Sequence, residues 1–188
     1  MDTSALRYIY HFKIPQHVPL NSSISFTDLA TATSLDEPRL RRVLRYVMTS
    51  NLFCEPAPGH VAHTSLSALL VTDLPAQGYI GHAVEISYAV NNKFVEAVER
   101  WGTDGELNHT AANIAHGMDL PFYQFMMTHP DRGVSARFQG LMDGLAASEG
   151  YSIKWTVEGF DWGRFEEAVV VDVSVSERLV HDREMRVN

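Results

Sequence analysis

The feature that most limits this chain is a single β-branched run close to its end. Residues 168–173 read AVVVDV, a continuous apolar pattern that suits a strand buried on both faces of a parallel sheet. Only 15 residues follow Val173, and that segment, SVSERLVHDREMRVN, is polar and charged without clear periodicity. One strand cannot make a sheet alone. The fold must therefore be carried by what lies upstream, and the upstream pattern is helical.

Residues 4–12 (SALRYIYHF) predict a short helix that Pro15 and Pro19 break. A short extended piece follows at residues 24–26, then a small helix over 27–32. Ser34 and Glu37 have capping-box spacing, and Pro38 suits a first helical turn. Leu40, Val43, Leu44, Val47 and Met48 then recur at helical spacing. Residues 53–55 and 60–62 flank the turn Pro56-Ala57-Pro58-Gly59 and predict a hairpin. Helix, helix, hairpin is the order of a winged helix. One long helix is expected over about residues 78–101, with Ile80, Val84, Tyr88, Asn91, Phe94, Val95, Val98 and Trp101 near one face. Further helices are expected over 121–127, from Pro130 to Gly150 and over 152–158.

The formal charge of −8, from 15 basic and 23 acidic residues, disfavours nucleic acid and anionic membrane as partners. A single cysteine, Cys54, rules out an internal disulfide and fits a reducing compartment. No basic segment followed by an apolar run marks residues 1–10, and no stretch approaches the roughly 18 apolar residues of a membrane span. A cytoplasmic location is the expectation.

Taken in order, several segments resemble the fungal branch of the plant-type, SAM-dependent O-methyltransferases. They are the winged-helix region 24–70, residues 94–117 (FVEAVERWGTDGELNHTAANIAHG), residues 120–127 followed by His129-Pro130, residues 137–151 (RFQGLMDGLAASEGY), and Phe160-Asp161-Trp162 before the strand. The resemblance implies a helical front half that dimerises and lines the substrate pocket, and a Rossmann-like back half that binds SAM. It places a glycine-rich turn after the strand, where the backbone must approach the cofactor without a Cβ in the way. Here Ser174, Val175 and Ser176 follow, and no glycine occurs after Gly163. The expected fold is therefore mainly α: a winged-helix unit plus a helical bundle, with at most one or two strands of a Rossmann-like domain. Residues 1–162 would form the dimerisation and substrate domain, and 163–188 a truncated start of the SAM domain with a divergent tail. No bound cofactor is expected, SAM included.

Candidate sites follow from residue chemistry. Phe122, Tyr123, Phe125, Met126 and Met127 offer the soft, adaptable surface of an apolar ligand pocket, and Met142 on the next helix could join them; the same pattern also suits ordinary core. His116 and His129 are the polar groups near that surface and the candidates for acid–base work, or for plain hydrogen-bonded support. Arg39, Arg41, Arg42 and Arg45 lie on the helix that a winged-helix DNA reader inserts into the major groove, but a solvated face explains them better in an acidic chain. His60 and His63 fall short of the ligands that a metal needs, and no metal is expected.

Three functional readings remain. The chain is an O-methyltransferase-like protein of fungal secondary metabolism that binds an apolar polyketide- or terpenoid-type molecule and catalyses a SAM-independent cyclisation or isomerisation, in the manner of a pericyclase. Alternatively it is an incomplete O-methyltransferase that only dimerises and binds substrate. The third reading is a winged-helix DNA-binding regulator. A homodimer or intertwined oligomer is the expected assembly.

Overall fold

The structure is a computed structural model and describes residues 3–129 and 131–164. The strand expected at 168–173 and the tail at 174–188 lie outside the described residues. The described chain falls into two units, one ending at Tyr151 and one beginning at Ser152.

The first unit opens with helices α1 (Thr3–His11) and α2 (Ile14–His17), strand β1 (Ser23–Ser25), and helices α3 (Phe26–Thr33) and α4 (Glu37–Met48). Strand β2 (His60–Ala62) and helix α5 (Ser65–Thr72) complete this part. Helices α3, α4 and α5 each start on a side chain that accepts an otherwise unpaired backbone N–H. Ser25 Oγ accepts from Asp28 N at 3.0 Å, and Asp36 Oδ1 from Arg39 N at 3.0 Å. Thr64 and Ser67 form a reciprocal capping box at the start of α5. Asp36 thus caps α4, whereas Ser34 closes α3 in the left-handed conformation. The capping-box spacing of Ser34 and Glu37 is coincidental, because the carboxylate of Asp36 sits where the helix needs an acceptor.

The apolar stripe of α4 buries Leu40, Leu44 and Val47 completely against Ile9, Ile14, Phe26, Leu29 and Val61. β1 and β2 pair antiparallel, with Ile24 opposite Val61. Cys54 joins the edge through an isolated bridge to Ala62, so the expected hairpin is present as a single paired position. This is the winged-helix order read from the sequence.

The rest of the first unit is α6 (Leu74–His82), a π-helical turn (Ala83–Ser87), α7 (Tyr88–Asn91), α8 (Phe94–Trp101), α9 (Ala111–His116), α10 (Phe122–Thr128), α11 (Arg132–Ala147) and a 3₁₀ turn (Glu149–Tyr151). The long helix expected over 78–101 is thus interrupted twice, by the π turn and by the break at Asn92-Lys93. α6 packs along α11 with the backbones in contact. A Cβ on Gly78 would stand 2.6 Å from Gly140 Cα, which explains why both crossing positions are glycine. The second unit holds α12 (Lys154–Gly159) and a 3₁₀ turn (Trp162–Arg164). The Trp162 indole N–H donates to the Thr156 carbonyl at 2.9 Å, and the Phe160 and Trp162 rings meet edge-on at 4.7 Å.

Candidate ligand cavity

A cavity of about 520 Å³ opens where the π turn widens the α6–α7 helix. π-helical turns often mark functional sites, since the extra residue shifts the side chains on either side of it. His82, Ile86, Val90, Phe94 and Val98 recur every four residues and form one wall. Thr110, Ala111 and Ala112 at the start of α9, with Phe122 at the start of α10, form the opposite wall. The lining is mostly apolar and the volume suits a small molecule of roughly drug size.

Of the five polar side chains in the lining, His82, Ser87, Asn91, His109 and Thr110, two are held by hydrogen bonds within the protein, Thr110 and His109. The Thr110 hydroxyl donates to Asn113 Oδ1 at 2.7 Å. The buried Asn113 amide donates to the carbonyls of Met118 and Leu120, both at 2.9 Å, and so shapes the α9–α10 loop. The His109 ring lies parallel to Trp101, with centroids 4.8 Å apart, and its Nδ1 pairs with Asp104 at 2.5 Å. That hydrogen bond is the main reason the Asp104 carboxyl is held below its ordinary value. The Arg100 guanidinium covers the Trp101 ring at 4.9 Å.

His82 differs. It is 7% exposed, packs on Phe138 with ring centroids 5.7 Å apart, and its Nδ1 is enclosed with no hydrogen-bond partner among the described residues. Burial first, and the charge of Arg137 second, push its imidazole below the ordinary 6.5. Arg137 Nε is likewise enclosed without a partner.

Phe122, Phe125 and Met126 come together around Ile86, Val134 and Phe138 in a small second core. Of the residues singled out in the sequence, Phe122 lines the cavity. Phe125 sits between two histidines, with the His116 ring stacked at 5.6 Å and the His129 ring edge-on at 4.8 Å. His116 Nε2 is enclosed without a partner among the described residues, and burial, then His129, lowers its pKa. His129 Nδ1 accepts from the Asp131 backbone N–H at 3.1 Å. Tyr123, Met127 and Met142 are exposed and stand apart from the cavity wall. Sequence reasoning missed His82, Ala111 and Ala112. The four-residue recurrence from His82 to Val98 was the available signal, and it is masked by assuming an uninterrupted α-helical period.

Two of the four arginines of α4 have carboxylate partners. Arg41 pairs with Glu37, and Arg45 holds Glu55 through two bonds of 2.9 and 2.8 Å. Both guanidinium groups lie over the Phe26 ring. His63 is a strut: Nδ1 pairs with Ser67 Oγ, and Nε2 lies 3.2 and 3.1 Å from the carbonyls of Pro15 and Val18. No described helix is long and apolar enough to cross a membrane.

Residues 1–73 match the O-methyltransferase dimerisation domain. O-methyltransferase aoiF of Aspergillus oryzae is 39% identical over 92% of this chain, and O-methyltransferase VdtC of Byssochlamys spectabilis 35% identical over 92%. The chain spans about 40% of the length of each of these relatives. Among solved structures, one described as a pericyclic reaction enzyme superposes with a TM-score of 0.60 at 20% identity, over 74% of this chain and 36% of that one.

Proposed function

From the premise that this chain carries an O-methyltransferase dimerisation domain and is homologous to fungal O-methyltransferases over most of its length, we propose that it is a homodimeric natural-product-binding protein. Its ligand is an apolar, polyketide- or terpenoid-type small molecule, held between the π turn of α6–α7 and the starts of α9 and α10. The observation that carries this reading is the 520 Å³ cavity, with its aliphatic and aromatic walls and few polar groups. SAM is the methyl donor that the family implies. The residues expected to lead into its site, 168–173, lie outside those described, so the reading rests on the helical cavity alone.

The composition of the cavity favours a second reading, SAM-independent cyclisation or isomerisation. Such chemistry needs shape, orientation and one or two hydrogen bonds. An apolar wall with an enclosed imidazole at His82 can fold a flexible chain and polarise one of its atoms. Likeness to a pericyclic reaction enzyme supports the scaffold for this, not the activity.

Ligand-observed NMR with a panel of aromatic polyketides and sesquiterpenes tests the binding. Saturation transfer is expected for at least one member, and Ala112→Phe, which fills the cavity, should abolish it. Binding that survives Ala112→Phe places the ligand elsewhere and overturns the proposal. Sedimentation velocity should show a dimer at micromolar concentration; a monomer removes the homodimeric part. Conversion of a bound ligand to a cyclised isomer without added methyl donor would separate the second reading from simple binding.

A further inference from the structure

The cavity lining holds a second histidine, His109, in the loop between α8 and α9. None of residues 102–109 is buried, so no core packing fixes this loop. Hydrogen bonds fix it instead. Asp104 Oδ1 accepts from the Glu106 backbone N–H at 3.2 Å, and the His109 backbone N–H donates to the Glu106 carbonyl at 3.1 Å. Together they bring Asp104 Oδ2 to 2.5 Å from His109 Nδ1. The Trp101 indole lies flat against the imidazole, 3° from parallel. One bond in the ring plane and one aromatic face set the orientation of the ring. A carboxylate only accepts, so in the neutral ring the proton sits on Nδ1 and Nε2 carries the lone pair. Nε2 has no hydrogen-bond partner among the described residues, and unlike Nδ1 of His82 it is not enclosed. On the facing wall, Ser87 ends the π turn and Asn91 ends α7, one helical turn apart. Neither side chain is hydrogen-bonded among the described residues.

We propose that His109 is a catalytic base of this cavity, positioned by Asp104, and that its substrates are unsaturated ketones which the site isomerises by proton transfer. His109 Nε2 takes a proton from the carbon beside the carbonyl. The C–H electron pair becomes the enolate, and the Asn91 amide or the Ser87 hydroxyl donates a hydrogen bond to its oxygen. The imidazolium, steadied by the Asp104 carboxylate, returns the proton to another carbon of the conjugated enolate. A double bond moves, and neither oxidant, reductant nor methyl donor is consumed. This inference rests on the isomerisation reading above.

Deuterium exchange at C1 of 2-tetralone, a small bicyclic ketone, reads the proton-abstraction step alone. In D₂O, proton NMR should show the wild-type full chain exchanging it faster than buffer, and saturably. His109→Gln should cut the protein-dependent rate roughly a hundredfold or more. Asp104→Asn should lower kcat by roughly tenfold or more with KM unchanged, because the amide no longer fixes the tautomer of the ring. Circular dichroism establishes that the variants are folded. Added imidazole should restore exchange to His109→Gly, a rescue that a merely structural histidine would not give. A wild type that leaves exchange at the buffer rate overturns the dyad, while ligand binding by the panel keeps the cavity reading in place. Exchange that survives His109→Gln puts the base elsewhere, and exchange that survives Ala112→Phe puts the chemistry outside the cavity; either overturns the inference. A cyclised isomer still formed by His109→Gln keeps the isomerisation reading and removes His109 from it. If exchange is absent and no member of the panel binds, the cavity reading and this inference fail together.

Discussion

Residues 3–73 and residues 74–147 are built on different terms. In the first region thirteen residues pack into one buried cluster, Ile9, Phe26, Leu40, Leu44 and Val47 among them, and the starts of α3, α4 and α5 are capped by side chains. In the second, the separate buried cluster holds Ile86, Met126 and Val134, the main helix is interrupted twice, and Phe94 is 65% exposed beside the cavity. Two of its histidines and one arginine have enclosed atoms without partners among the described residues. The contrast teaches where each burden falls. The front region supplies stability and shape. The second keeps surface and polar groups available for something that binds, as low-stability regions of proteins commonly do.

The largest effect expected is in the front core. Leu44→Ala removes a fully buried side chain, and denaturant unfolding should show a loss of about 2–5 kcal/mol. Met126→Ala in the smaller cluster should fall at or below the low end of that range, because the sparser packing around it can relax. Equal losses would break the contrast. Next comes the glycine crossing. Gly78→Ala forces two backbones apart and should cost about 1–3 kcal/mol or more, read from the unfolding midpoint. Gly81→Ala meets the hydroxyl end of Tyr10 and Cδ of Arg137, side-chain atoms in place of backbone, and should cost less because side chains can shift. Asp36→Ala removes the cap of α4 and should cost about 1 kcal/mol, whereas Ser34→Ala should leave the α4 start intact.

The smallest effects are in the pH dependence, and they too divide by region. Arg45, and then the Gly59 N–H, hold the Glu55 carboxyl down to about 2 from an ordinary 4.5. A carboxylate depressed in the folded state contributes stability above its unfolded pKa, and that contribution is lost as pH falls from 4.5 towards 2. Because the pair is exposed, the effect should be slight and screened by salt. Glu55→Gln should flatten that part of the acid limb. His82 and His116 behave as groups that resist charging: their folded pKa values lie below 6.5 through burial. The unfolded chain takes up these protons first, so stability is lost as pH falls below 6.5. His82→Phe should reduce that slope, while Glu55→Gln should leave it unchanged.

The front region was largely legible in the sequence. The apolar stripe of α4, the turn before β2 and the winged-helix order all came from local periodicity and turn residues, which short-range physics fixes. The capping residue of α4 was misread by two positions, since Ser34 and Asp36 are both good caps and only the αL turn at Ser34 decides between them. The candidate site was less legible. The cluster of Phe122, Phe125 and Met126 was visible as an aromatic and methionine run, but which of these face a cavity depends on where α10 lies against α7 and α11. His82 was missed because the π turn that follows it shifts the later residues around the helix, so the four-residue recurrence from His82 to Val98 does not fit an uninterrupted α-helical period.

The sequence by itself determined the helical class, the winged-helix order and the acidic balance, because periodicity, caps and charge are local or additive properties. Tertiary structure alone decided that Tyr123, Met127 and Met142 face solvent, that Arg45 of α4 reaches Glu55, and that His82 stands enclosed beside a cavity. Each depends on how distant segments approach one another. The close α6–α11 crossing at Gly78 and Gly140, the interruption of the long helix and the approach of α9 to α7 set those distances, and none of them is a property of a single stretch of chain.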